Sequence, residues 1–508
     1  MNPEQREAIY ENAQYLRQVR PIDPEEIDEY VPGRPHPAVV REVLRELAPD
    51  LGLLERAEGT FVPVSEDALD PSSFSPDAES LEAFPEPYSR RLEDRLVAHY
   101  GPGWPEGESG DRLRERIRGL KAAYFAGESV RYDAETVLAY AIYHLPDYYA
   151  ATTYLLAELA TEGLLPTHLR VLDVGAGVGG PALALLDFLP DDALCEYHAI
   201  EPSPAADLLE YLLADAGRNR YPEIHRERAE TFDPTDGSTG TDASTETDAS
   251  TETGDGAYDL LVFANVLSEL DDPVSVVERY LEGLAPDGTV LLLAPADRET
   301  ATGLREVERA LSSGGDTTTD ATIYAPTIEL WPSERPTDRC WSFDVKPDLE
   351  TPGFQHRLDS GAEGPEHTPG KFLNVDVQYA YSILRTDGRR KIDFEPDECH
   401  VAKLADSDAH VSERIDAAAI KLSHSLSEAG EGSEKGDGAN PLFLIGDGSQ
   451  TVDHYAVLTR ETALNRDLRD AEYGTLLRFE NVLVLWNDDE EAYNLVIDDE
   501  TVVDRLSR

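Results

Sequence analysis

The chain has 508 residues, 40% of them hydrophobic, and a formal net charge of −58 from 102 acidic against 44 basic residues. That length exceeds one ordinary core and points to about three domains. Three scattered cysteines, Cys195, Cys340 and Cys399, exclude a disulfide framework and a four-cysteine metal site, no apolar run reaches bilayer length, and the charged opening Met1-Asn-Pro-Glu-Gln-Arg6 argues against a secretory signal. A soluble cytoplasmic monomer with no membrane partner is expected.

Residues 37–64 read as a helix opened by His36-Pro37, with Val39, Val40, Val43, Leu44 and Leu47 at helical spacing. A helix fragment at Leu51-Gly52-Leu53-Leu54 and a Glu58-Gly59 turn then lead into a short hairpin over 60–64. The order fits a winged helix ending on its wing and, equally, a plain helical cap. Residues 111–124 form the next helix, with Leu113, Ile117, Leu120 and Tyr124 on one stripe and Arg114, Arg118 and Lys121 on its neighbour. A basic stripe is ordinarily a solvated face, but in so acidic a chain it is a candidate RNA contact. Two further helices are predicted: Ala134 to His144, and one that Pro146 starts and that ends near Glu162. Tyr140, Tyr143, Tyr148, Tyr149 and Tyr154 are read as packing residues on these helices.

A buried strand, Leu169-Arg-Val-Leu-Asp-Val174, then runs into Gly175-Ala-Gly-Val-Gly-Gly180, and Pro181 opens a helix. Strand, glycine turn and helix start together let a ligand approach bare backbone and unpaired N–H groups. Twenty-one residues past Gly180 stands Glu201, closing the strand Cys195 to Ile200, where a carboxylate can accept both hydroxyl protons of a ribose. The Gly175, Gly177, Gly180 spacing also satisfies a dinucleotide pattern, so a nicotinamide enzyme must be weighed. Asp173 separates the two, since it would repel a pyrophosphate but suits a cationic sulfonium with an amino-acid tail.

Ala257 to Asn265 reads as strand four, and Leu284-Ala-Pro-Asp-Gly288 as the turn into strand five. With Asp173-x-Gly-x-Gly and Glu201 in this order, residues 168–295 resemble class I methyltransferases. The resemblance implies S-adenosylmethionine as cofactor and Asp173, Gly175, Ala176, Gly177, Glu201 and Asn265 as its binding residues.

The flanks narrow the resemblance. Tyr140 to Ala151, Asn265-Val-Leu-Ser-Glu-Leu270, Tyr324-Ala-Pro326, Cys340-Trp-Ser-Phe343, Lys371-Phe-Leu373 and Tyr379 to Leu384 follow one another in the order of the mitochondrial-type small-ribosomal-subunit methyltransferase-like family, the Rsm-type proteins. The similarity covers about residues 110–391. It implies a factor that binds S-adenosylmethionine and works on the small ribosomal subunit or its rRNA. It also implies a cysteine-rich iron–sulfur segment after strand five, from which this chain departs. There it has Ala325-Pro-Thr-Ile-Glu329 and Trp331-Pro332, with Cys340 alone remaining. A cluster needs about four thiolates, so no iron–sulfur cluster and no metal are expected, and Trp331, Pro332, Trp341 and Phe343 are expected to pack in its place.

No catalytic residue is assigned. The Asn265-Val-Leu-Ser268 loop lacks the Pro-Pro-aromatic of amino methylation, no cysteine nucleophile lies near strands four or five, and residues 172–345 hold no lysine. Glu269 could serve as a base, although a carboxylate at a helix start is the plainer reading. A non-catalytic S-adenosylmethionine-binding assembly factor and a small-molecule methyltransferase therefore stand as alternatives.

Lys371, Arg385, Arg389, Arg390 and Lys391 form a second basic cluster, read around a strand-six/seven hairpin, with Lys371, Arg389 and Arg390 as RNA candidates or ordinary ion-pairing residues. Residues 233–256, with Thr-Asp-Ala-Ser-Thr-Glu repeated over 241–252, read as a disordered insert, and 312–322 and 425–440 look similar. Strands are predicted at 441–445, 454–458, 477–486 and 493–497, with a helix over 460–469. The expected fold class is α/β: a class I methyltransferase (Rossmann-like) central domain with an α-helical N-terminal region and a small β-rich, barrel-like C-terminal domain. The expected limits are 1–66, 67–165, 166–392 and 393–508. Acid this dense, with seven Lys among the basic residues, resembles salt-accumulating halophiles, since molar salt shortens the Debye length to about 3 Å and mutes self-repulsion. Acidity is then a weak argument against RNA.

Overall fold

A computed structural model of the chain describes residues 1–65, 67–71, 81–126, 130–235, 258–312, 321–326, 329–331, 334–362, 368–394, 396, 400–427 and 440–506. The low-complexity stretches at 233–256, 312–322 and 425–440 lie for the most part outside the described residues. Two compact units form: Met1–Val262 with Glu282–Ala285 and Pro347–Val377, and Phe263–Leu281 with Pro286–Lys346 and Gln378–Arg508.

The first unit opens with helices α1 (Pro3–Leu16), α2 (Pro24–Ile27) and α3 (Pro37–Leu51), then an antiparallel pair, β1 (Leu53–Glu55) and β2 (Phe61–Pro63). Asn2 and Gln5 cap α1 reciprocally. Gly52, at φ 56°, ends α3 in a left-handed turn. The helix fragment expected at 51–54 is therefore the last residue of α3 and the start of β1. Val40, Val43, Leu44 and Leu47 of α3 share one core with Ile9, Ala13, Ile22 and Phe61.

Helices α4 (Glu86–Tyr100), α5 (Gly107–Phe125) and α6 (Ala134–Thr161) follow. Helix α6 runs unbroken through Pro146, where the sequence predicts two helices. Pro146 has no N–H for the carbonyl four residues back. The buried Gln355 donates its side-chain amide to that carbonyl, Ile142 O, at 2.8 Å, and Asn374 Nδ2 donates to Tyr143 O at 3.0 Å. With the orphaned Ile142 acceptor satisfied, the helix continues.

Strands and helices then alternate: β3 (His168–Val174), α7 (Gly180–Phe188), β4 (Leu194–Ile200), α8 (Ala205–Leu213), β5 (Arg220–His225), β6 (Tyr258–Ala264), α9 (Pro273–Leu281) and β7 (Leu284–Pro295). Next come α10 (Arg298–Leu311), β8 (Thr322–Ala325), β9 (Asp344–Lys346), α11 (Gly353–Ser360) and β10 (Val377–Arg385). In the first unit β5, β4, β3 and β6 lie side by side and parallel. The end of β6 belongs to the second unit, where Asn265 just beyond it donates its N–H to Leu293 O of β7 at 2.8 Å. There β10 runs antiparallel to both β7 and β8. The sheet order is β5-β4-β3-β6-β7-β10-β8, with β9 paired to β10. Strands β8 and β10 are neighbours but not the expected hairpin, because β9 and α11 intervene in the chain.

The C-terminal part of the second unit holds β11 (Arg414–Lys421), β12 (Leu442–Gly446), β13 (His454–Leu458), α12 (Asp467–Asp470), β14 (Leu476–Asn487), β15 (Ala492–Ile497) and β16 (Val502–Arg505). Strand β11 pairs with both β12 and β14, which closes β11-β12-β13-β15-β14 into a small barrel, and β16 adds to β14. Ala417, Ala419, Phe443, Ile445, Phe479, Leu495 and Ile497 fill its core. Strands β11 and β16 were not among those predicted, since the alanine run of β11 carries no β-branched signal. The helix expected over 460–469 shrinks to α12.

Candidate cofactor site

At the end of β3 the chain turns through Gly175, Gly177 and Gly179, at φ 70°, 55° and 90°. Side chains with a Cβ strain in this region, so glycine keeps the turn tight. The N–H groups of Gly175 and Ala176 both donate to Ile200 O at the tip of β4, at 2.9 and 3.1 Å, which ties the loop to the second strand. Gly180 serves packing instead. A Cβ there would lie 2.8 Å from Tyr148 Cβ and 3.2 Å from Tyr149 N, so only glycine lets α7 press against α6. Beside Gly177 the space is open, with nothing nearer than Gly175 O at 3.8 Å.

Asp173 is buried, the next-to-last residue of strand β3 before the loop. Tyr197 of β4 donates its phenol O–H to Asp173 Oδ2 at 2.7 Å, and Oδ1, equally buried, has no partner. Burial raises the Asp173 pKa from 3.8 to about 7; the Tyr197 bond opposes the rise and the nearby Glu201 charge adds to it. Glu201 accepts the N–H of Gly177 on Oε2 and that of Ser203 on Oε1, both at 2.8 Å. Each oxygen keeps a second lone pair for a hydroxyl donor. The first unit thus brings Asp173, Gly175, Ala176, Gly177 and Glu201 together. Tyr197 was missed by sequence reasoning, although its position two residues before Ala199, the residue opposite Asp173, puts it on the same face of β4 and was a usable signal.

These residues fit S-adenosylmethionine. An unpartnered buried carboxylate oxygen suits a cationic group, a two-oxygen acceptor suits a ribose diol, and the open backbone at Gly177 admits an adenosine. Asn265, in the second unit, adopts φ 59° and carries a buried Oδ1 without a hydrogen bond. Glu269 ends a short 3-10 turn and is exposed.

The RNA candidates divide. Arg114 is a correction: only 2% exposed, it donates to Pro105 O, Leu358 O and Asp111, so its guanidinium is consumed inside the first unit. Arg118 is exposed with its guanidinium 5.1 Å over the Phe372 ring, and Lys121 lies 4.0 Å over Tyr143 and donates to Lys371 O at 3.1 Å. Lys371 is exposed. In the second unit Arg389 and Arg390 are exposed, whereas Arg385 is buried on Thr289, Asp287 O and Asp387.

Cys340 is buried among Leu330, Trp331, Ile420, Leu422, Leu444 and Leu476, and burial pushes its thiol up to about 12. Trp331 donates to Asp447 at 2.7 Å, Trp341 donates to Ala296 O at 2.8 Å, and the Trp341 and Phe343 rings lie 5.7 Å apart. Pro332 and Cys399 lie outside the described residues.

Parallel strands β5, β4, β3 and β6, alternating with helices, and a glycine loop bonded to Glu201 just beyond the tip of β4 have the layout of a class I S-adenosylmethionine-dependent methyltransferase domain. Residues 143–350 match the family described as "Methyltransferase domain". Residues 6–57 and 405–506 match the N-terminal and C-terminal domains of "Domain of unknown function (DUF8157)". No curated protein matches the chain. Solved structures similar to it include the CurJ carbon methyltransferase (16% identity, 75% of this chain and 91% of that one, TM-score 0.27). The mitomycin 7-O-methyltransferase MmcR is another (16%, 60% and 79%, 0.22). A third is a putative S-adenosyl-L-methionine-dependent methyltransferase from Methanococcus maripaludis (15%, 32% and 65%, 0.24). Among the described residues, no helix is long and apolar enough to cross a membrane.

Proposed function

We propose that the chain is an S-adenosylmethionine-dependent methyltransferase of the small ribosomal subunit or its rRNA, working in the cytoplasm at molar salt. The observation that carries cofactor binding is the pairing of a partnerless Asp173 oxygen with the two-oxygen acceptor Glu201 at adjacent strand tips. S-adenosylmethionine, when bound, supplies a methyl group activated on a sulfonium. The chain's own part is to hold the cation at Asp173, the ribose at Glu201 and the adenosine along the bare Gly177 backbone. The ribosomal target draws support from the ordered Rsm-type flanks and from the exposed Arg118 and Lys371, cations on the surface of a strongly acidic chain. The helix α3 and hairpin β1–β2 support the winged-helix reading of residues 1–66, with 67–165, 166–392 and 393–508 as the remaining domains.

The Asn265-Val-Leu-Ser268 loop favours a second reading, a factor that binds the cofactor without transferring its methyl group. One experiment separates them. The full chain is incubated at matched salt with methyl-labelled S-adenosylmethionine and small subunits from cells lacking it. Label in the rRNA is expected. Cofactor binding with subunits unlabelled, but maturation impaired in those cells, favours the second reading. Label entering only small-molecule extracts sinks the ribosomal target.

A further inference from the structure

We propose that His198, Glu223 and His225 bind one divalent transition-metal ion of the zinc class at the edge of the parallel sheet. Strand β5 is outermost, and its parallel pairing with β4 sets His198 opposite Glu223 and Ile200 opposite His225. Side chains repeat every second residue along a strand, so Glu223 and His225 share one face of β5, and His198 joins them from β4. His198 Nδ1 lies 3.1 Å from His225 Nε2, and each of these nitrogens is 3.9 Å from a Glu223 oxygen. The two rings are nearly parallel, 8° between planes. Among the described residues this is the one group of three or more His, Cys, Asp or Glu whose donor atoms all lie within 4.8 Å of one another.

The geometry is close to that of a tetrahedral site. Ligand atoms about 2.0–2.1 Å from zinc stand about 3.3 Å from each other. The imidazole nitrogens are already near that spacing, and Glu223, whose side chain is 64% exposed, needs only a small swing to join them. Two imidazoles and one carboxylate suit zinc-like ions and disfavour magnesium or calcium, which take oxygen ligands. A water would complete the fourth position. The simpler account, an N–H···N bond between two neutral imidazoles, gives no role to Glu223, whose Oε2 faces His198 and whose Oε1 faces His225, each at 3.9 Å.

The site also reaches the cofactor loop. His225 O accepts the N–H of Glu201 at 3.0 Å, so an ion that clamps β5 to β4 would fix the backbone under the ribose acid. That consequence rests on the methyltransfer reading; the metal site does not, and its test uses metal alone.

Metal-stripped full-length chain is dialysed against Co²⁺ in molar potassium chloride, which suppresses diffuse cation binding by surface carboxylates. One Co²⁺ per chain is expected, with the visible bands of a tetrahedral centre, displaced by Zn²⁺. His225→Ala should lose them. Glu223→Gln, at an exposed position that leaves the fold intact by circular dichroism, should weaken Zn²⁺ by at least about tenfold, the loss seen even for outer-shell partners. No stoichiometric uptake by the parent chain, or the same spectrum and affinity in Glu223→Gln and His225→Ala, overturns the proposal.

Discussion

The phenol of Tyr197 holds one oxygen of Asp173 at 2.7 Å and leaves the other buried and without a partner. This half-satisfied carboxyl, with its pKa raised to about 7, should make S-adenosylmethionine binding pH-dependent. Below that pH Asp173 is neutral and attracts a cation poorly. S-adenosylmethionine affinity should therefore fall as pH drops through about 7, approaching tenfold per unit below it. Tyr197→Phe removes the bond that favours the charged form and should move the midpoint upward, while Asp173→Asn should flatten the profile. Calorimetry from pH 6 to 8.5 checks this, and a flat parent profile would refute it.

The same raised pKa sets a stability slope of known sign. The folded carboxyl keeps its proton where the unfolded one, near 3.8, has lost it, so this group's contribution to stability declines from about pH 4 to about pH 7 and then levels off. Asp173→Asn should be relatively more stable than the parent at pH 8 than at pH 5. Denaturant midpoints at the two pH values, at constant salt, test the direction.

Gln355 holds α6 together across Pro146. Gln355→Ala would orphan Ile142 O and also Asn374 N–H, which donates to Gln355 Oε1 at 3.0 Å. An unsatisfied buried group costs about 1–3 kcal/mol, so a lower unfolding midpoint and faster amide exchange around residues 143–150 are expected. Exchange unchanged in that turn would show that the helix holds without the bond.

Two glycines of one loop should fail differently. Gly180→Ala drives a Cβ into Tyr148 and the backbone of Tyr149, an overpacking worth about 1–3 kcal/mol. Gly177→Ala meets no atom closer than 3.8 Å but must hold φ near 55°, worth about 1–2 kcal/mol, in the open space beside the loop. Gly180→Ala should chiefly lower the melting temperature and Gly177→Ala chiefly weaken S-adenosylmethionine. Equal effects on both readouts would contradict this division.

The segment after β7 retains Cys340 alone, buried with its thiol pKa pushed up to about 12 and therefore protonated at neutral pH. Iron and sulfide assays on protein purified without oxygen should find no stoichiometric cluster. Four iron atoms per chain would disprove it.

What the sequence made legible was local. Asp173, Gly175 and Gly177 could be placed because a strand, a turn and a helix start follow within a dozen residues, and each leaves its own residue preference. Arg114 could not be placed, since helical spacing puts it beside the apolar stripe but its burial depends on Leu358 O, 244 positions away. Pro146 read as a helix start for the same reason: its rescuer Gln355 lies 209 residues downstream (355 − 146). His198 and His225 stand 27 apart and meet only through parallel strand pairing, which periodicity does not reveal.

The bond from Gln355 to Ile142 also fixes an order of events during synthesis. Helix α6 is complete at Thr161, whereas Gln355, which closes its proline gap, is made 194 residues later (355 − 161). Until then water must serve the bare carbonyls of that turn, and the middle of α6 stays the weakest part of the nascent domain. A chain truncated before residue 353 should therefore be cut by proteases near 142–150, whereas the full chain should resist there.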